Sequence, residues 1–65
     1  MHTYVVTFDG FAANRVVYHD QSVTLEARHD WSLNAEESSN VMFLAHKKIK
    51  EHFSRYKITN IEKLK

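Results

Sequence analysis

The stretch Asn34-Ala35-Glu36-Glu37-Ser38-Ser39-Asn40-Val41-Met42-Phe43-Leu44-Ala45-His46-Lys47-Lys48-Ile49-Lys50-Glu51-His52-Phe53-Ser54-Arg55-Tyr56 contains neither glycine nor proline. From Ala35, apolar residues recur at Met42, Ala45, Ile49, Phe53 and Tyr56, at spacings of seven, three, four, four and three. That is the stripe of an amphipathic helix of roughly six turns, running from Ala35 to about Tyr56. Asn34 stands three residues before Glu37, the spacing of a capping box in which Asn accepts from the N3 amide and Glu reaches back. Glu36 and Glu37 suit the positive end of the helix dipole. Lys47, Lys48, Lys50 and Arg55 fall off the stripe, toward the negative end.

Upstream of the helix the period changes to two. Tyr4, Val6 and Phe8 alternate with Thr3, Val5 and Thr7, which predicts a strand over residues 2–9. Asp9-Gly10 is a turn signal, and Gly10, the only glycine, tolerates positive φ. Ala12-Ala13-Asn14 lengthens the connection beyond a two-residue hairpin loop. Residues 15–28 then read as one long strand, bulged at Asp20-Gln21-Ser22, or as two strands joined by a turn there. The absence of glycine favours the bulged strand. His29 to Leu33 is a connector. After the helix, residues 57–63 are short and β-branched, and Ile58 and Ile61 are three apart, so a bulge or a frayed end is expected. The order is β-β-α-β in a single domain spanning residues 1–65. A right-handed crossover gives an α+β fold with a three-stranded antiparallel sheet, strand order 2-1-3, and the long helix on one face.

The chain has 65 residues and no cysteine, so no disulfide can supplement a small core. With 43% hydrophobic and 26% charged residues it is too apolar for a disordered segment. No stretch approaches the roughly 18 apolar residues of a membrane span, and no membrane partner is expected. The N-terminus reads as a strand without a basic region or small-residue cleavage site, so a cytoplasmic location is expected.

Neither metal nor catalytic chemistry has a pattern here. Zinc needs three or four converging ligands, commonly with an i, i+4 pair. His46 and His52 are six apart, about 120° away from each other on a helix. His2, His19 and His29 have no partner at ligand spacing, so scattered histidine is the better reading. Ser22, Ser32, Ser38, Ser39 and Ser54 sit in no glycine-rich elbow. Phosphate-cradling loops need several glycines. A non-enzymatic protein with no cofactor is expected.

Charge is more informative. Residues 1–33 carry a balance of −2 and residues 34–65 one of +3. Lys47, Lys48, Lys50, Arg55 and Lys57 could track phosphates as a nucleic-acid-binding face, or could simply form a solvated helix surface. Phe43 and Leu44 lie roughly 100° or more from a stripe centred on Met42, Ile49 and Phe53. Exposed, they would form an apolar patch rimmed by Lys47 and Lys50; otherwise the helix is covered more broadly. Trp31 is either a lid over the core end or an exposed anchor of the kind enriched in interface hot spots. Of the two outer strands, the last carries Lys57, Lys63 and Lys65, which discourage edge pairing. The strand at residues 15–28 is less guarded and could pair with a partner or with a second copy.

The layout of Tyr4-Val5-Val6-Thr7-Phe8, then Val23-Thr24-Leu25-Glu26-Ala27, then an Ala/Glu-initiated helix with Ala45, then Ile58-Thr59-Asn60-Ile61-Glu62-Lys63-Leu64, resembles small phage-encoded accessory proteins. Some of these are host-takeover proteins, including inhibitors of host RNA polymerase with a similar strand-strand-helix-strand order. The resemblance implies a host-virus interaction, inhibition of a host enzyme and residence in the host cytoplasm. It is one of layout, without a shared motif, and it assigns no residue.

Two functions follow. The first is a protein-binding modulator, an inhibitor of a host enzyme or nucleic-acid complex, docking through Phe43, Leu44, Lys47, Lys50 and Trp31. The second is a nucleic-acid-binding module using Lys47, Lys48, Lys50, Arg55 and Lys57. A homodimer is a further candidate assembly.

Overall fold

The period-two alternation at the start of the chain builds the centre of the sheet. In the computed structural model, which describes residues 1–64, β1 (His2–Phe11) buries Tyr4, Val6, Phe8 and Gly10 while Thr3, Val5, Thr7 and Asp9 stay half-exposed. β2 (Val17–Ala27) and β3 (Arg55–Lys63) pair with it on either side, both antiparallel, in the order β2-β1-β3. α1 (Ala35–Lys50) covers one face. The α+β class, strand order and antiparallel sense are those the sequence predicts.

The core consists of Tyr4, Val6, Phe8, Leu25, Ala27, Val41, Ala45 and Ile49. Tyr4, Phe8, Ile49, Val6 and Val41 are its largest fully buried side chains, and each of the four wholly apolar ones contributes about 1.5–3 kcal/mol by leaving water. Tyr4 also carries a polar end that must be satisfied. Its hydroxyl donates to the His29 carbonyl at 2.6 Å and accepts from the Trp31 amide at 2.8 Å. Ser38 Oγ donates to the Trp31 carbonyl at 2.7 Å. Through these bonds the central strand fixes the connector, and Trp31 lies half-buried against the core as a lid.

Three expectations need correction. Gly10 is not a turn residue: it lies within β1 and has no positive φ. The turn falls later, where Ala12 N–H bonds to the Val16 carbonyl, and the left-handed residue is Arg15 with φ 66°. Gly10 is required by close approach instead. A Cβ there would stand 2.5 Å from Phe53 Cε1. The bulge expected near Asp20 is present, with a register shift between Phe8 and Gly10 and a φ of 55° at Asp20, and β2 remains one bent strand.

The helix is shorter than its periodicity suggests, ending at Lys50 rather than near Tyr56. Phe53 lies beyond it, its ring 5.6 Å from Phe8 and 5.7 Å from Tyr18. Tyr56 belongs to β3, opposite Gly10. Pairing with β1 outweighs the continuing helical period, and no local breaker marks the change. The stripe is also rotated. Val41, Ala45 and Ile49 are buried, whereas Ala35 is exposed and Met42 only half-buried. On β3, Thr59 is extra against β1, since Thr7 pairs with Asn60 and Phe8 with Ile58. The irregularity implied by Ile58 and Ile61 is therefore a bulge, and both isoleucines pack against the core.

Candidate functional site: a groove between the helix and the third strand

At about 100° per residue, the buried line Val41-Ala45-Ile49 sorts its neighbours on α1. Leu44 and Lys48 fall on one shoulder, His46 falls on the other, and Phe43, Lys47 and Lys50 point away from the core. The observed burial agrees. Phe43 is 68% exposed, while Leu44 is half-buried and packed against the core. The expectation that Phe43 and Leu44 form one exposed patch is thus corrected. Neighbouring residues on a helix diverge, and the rotated stripe draws Leu44 inward.

Phe43, His46, Lys47, Lys50 and Tyr56 line a surface groove of about 540 Å³ beside β3. Its inner wall is held by His46 Nδ1, 2.5 Å from the Tyr56 hydroxyl, with the two rings 5.5 Å apart. Behind it, Tyr56, Ile58 and Ile61 are only half-buried. The groove combines apolar ring surface with two ammonium groups, and among the described residues neither lysine is in an ion pair. On the β2 side a smaller hollow of about 260 Å³ includes Leu44, Lys48, Glu26 and Glu51, a mixture of both signs.

Polar ties secure the connector end of the fold. Glu37 N–H bonds to Asn34 Oδ1 at 2.9 Å, the expected N-cap. The reciprocal half of the box is absent, because the Glu37 carboxylate takes the ring N–H of His29 at 2.5 Å. Asp30 accepts from Ser32 Oγ at 2.7 Å, from Ser32 N–H at 3.0 Å and from Lys63 Nζ at 3.1 Å, which joins the connector to β3. The Ser32 hydroxyl and amide, then the Lys63 ammonium, hold its carboxyl down at about 2.

Of the residues singled out by sequence for a protein partner, the structure brings Phe43, Lys47 and Lys50 together. It sends Leu44 to the β2 shoulder and holds Trp31 at the connector. The five cations proposed to track phosphates do not form one surface either. Lys47 and Lys50 flank Phe43, and Lys47 also borders the β2-side hollow that Lys48 lines. Arg55 and Lys57 pair opposite Phe11 and Asp9 on the sheet face away from α1. Lys65, counted among the guards of the last strand, lies outside the described residues. The sequence reading missed His46 and Tyr56 as groove walls. The alternation Tyr56, Ile58 was the available signal, hidden because Tyr56 also fits the helical period.

Among the described residues, no group of three or more His, Cys, Asp or Glu side chains could hold a metal ion. Among the same residues, no helix is long and apolar enough to cross a membrane. Neither a protein-family model, a curated protein nor a solved structure matches the chain.

Proposed function

We propose that this protein is a non-enzymatic binding module that seats an acidic segment of a partner protein in the groove between α1 and β3. The observation that carries the reading is Phe43, 68% exposed on a rigid helix and flanked by Lys47 and Lys50. A phenyl ring held in water mid-helix is the kind of anchor around which interface energy concentrates. The two lysines supply a cationic rim that steers carboxylates toward it and raises the association rate. A fitting partner segment carries one aliphatic or aromatic side chain, to lie on Phe43 and Tyr56, with Asp or Glu on either side. Occupying such a segment is enough to modulate the protein that bears it. This is consistent with the layout shared with phage accessory inhibitors.

The test is selection of a random displayed peptide library against the immobilised protein, with the Phe43→Ser variant as counter-target. Enriched peptides should share an apolar residue flanked by acidic ones, and should lose binding to Phe43→Ser. Replacing Lys47 and Lys50 by Glu should mainly slow association, more so at low salt. Basic or charge-neutral winners, or winners that bind Phe43→Ser equally well, would remove the groove from the account.

A further inference from the structure

The sheet face turned away from α1 carries a second constellation, which the helix-centred reading divides and overlooks. Residues directly opposite in an antiparallel ladder project to the same side. Phe11 is opposite Val17 in one ladder and opposite Arg55 in the other, so the three share a face. Asp9 opposite Lys57 places Lys57 on that face as well, two residues along β3 from Arg55. Phe11 is 36% exposed and Val17 40%. The turn adds Arg15, and the groove so formed measures about 430 Å³.

The charges on this face are unevenly placed. Among the described residues, Arg15, Arg55 and Lys57 enter no ion pair. The neighbouring carboxylate of Asp9 is occupied across the hairpin, accepting from Asp20 N–H at 3.1 Å and lying 3.5 Å from His19 Nδ1. Toward the other end of the sheet the same face carries Glu26 and Glu62, opposite Thr3 and Val5. Uncharged Thr7, Ser22, Thr24 and Asn60 lie between. A polyanion would be drawn to the Phe11 end and repelled from the far end.

We propose that this end of the open sheet face binds single-stranded nucleic acid, one base stacking on Phe11 and adjacent phosphates lying against Arg15, Arg55 and Lys57. An exposed ring among cations suits an unpaired base, whose π-face is free only outside a duplex. The shallow face has no element shaped to enter a duplex groove. Guanidinium groups match phosphate in two-pronged geometry and stack on flat rings. The site is on the opposite side of the sheet from the Phe43 groove and does not depend on it.

The experiment is fluorescence anisotropy of labelled oligo(dT) and oligo(U), about twelve nucleotides long, titrated with the full chain across a salt series, since such patches take few nucleotides. Both should bind better than a duplex of equal length. With three phosphates neutralised, affinity should fall about 20-fold between roughly 50 and 200 mM NaCl. Phe11→Ala should weaken binding by about tenfold or more, while Phe11→Tyr, which keeps the stacking surface, should retain it. Arg55→Ala should flatten the salt dependence by about one phosphate contact. Phe43→Ser should bind as the parent does. Circular dichroism of each variant shows that the fold is kept. The proposal is overturned by the absence of saturable binding at low salt, by equal binding of duplex, by an unaltered Phe11→Ala variant, or by oligo-glutamate competing as well as oligo(dT).

Discussion

On the β2 flank of α1, Leu25 and Ala27 are buried and Val23 and Leu44 pack against the core. On the β3 flank, Tyr56, Ile58 and Ile61 stay half-buried and Phe43 stands clear. The helix packs chiefly against β2. The β3 flank is secured by separate links: the Phe53 ring over Gly10 and the His46–Tyr56 hydrogen bond toward the hairpin end, and the Lys63–Asp30 ion pair at the connector end. Apolar packing closes a flank by removing its surface from water. A flank held by a few directional links keeps apolar surface within reach of a partner. In so small a domain the apolar surface left open therefore lies on the side where the helix contributes least packing, which is where the proposed docking groove is placed.

The largest expected effect is common to both flanks. Ile49, fully buried on the stripe, should cost about 2–5 kcal/mol when changed to Ala, measured by urea unfolding. A loss below about 1 kcal/mol would mean that the line Val41-Ala45-Ile49 is not the helix's buried face, and the contrast between flanks would go with it.

The hairpin end of the β3 flank comes next. Gly10→Ala forces a methyl group against the Phe53 ring and should cost about 1–3 kcal/mol. Phe53→Ala destabilises on its own, but in the Phe53→Ala background the Gly10 change should cost far less. A double-mutant cycle reads that coupling directly. Additive losses would show that the ring does not close this end.

The polar end should respond to acid. The Asp30 carboxyl is held at about 2, below its ordinary 3.8, so its charged form is favoured in the folded chain. The stability it brings is present above its unfolded value and is lost as pH falls from about 4 toward 2. Melting temperatures of parent and Asp30→Asn should therefore differ at neutral pH and converge near pH 2. A difference that stayed constant across that range would detach Asp30 from the β3 flank.

The order β2-β1-β3, the Asn34 cap, the bend at Asp20 and the bulge beside Ile58 were legible because local chemistry specifies them: alternation, a short polar acceptor, β-branched runs out of phase. The end of the helix was not, because residues 51–56 continue its period and only pairing of Tyr56 with Gly10 overrides it. Gly10 was misread for the same reason, since the ring that needs its missing Cβ is 43 residues away in sequence. At the candidate site, Phe43, Lys47 and Lys50 were found from helical angle alone. Leu44 was misplaced because the buried stripe centres on Val41, Ala45 and Ile49 rather than on Met42, Ile49 and Phe53, a rotation of about 60° that turns the far face at Leu44 into a shoulder. The open sheet face went unread because Phe11, Arg15 and Arg55 are brought together only by the ladders.

The most direct test compares two adjacent residues. Phe43→Ser and Leu44→Ser make the same kind of change one position apart on α1, and urea unfolding gives the stability of each. Phe43→Ser should stay within about 0.5 kcal/mol of the parent, as surface substitutions do. Leu44→Ser should lose about 1–3 kcal/mol, through lost packing and a hydroxyl brought toward the core. Equal losses, or a larger loss for Phe43→Ser, would place the phenyl ring in the fold's own packing and contradict the account.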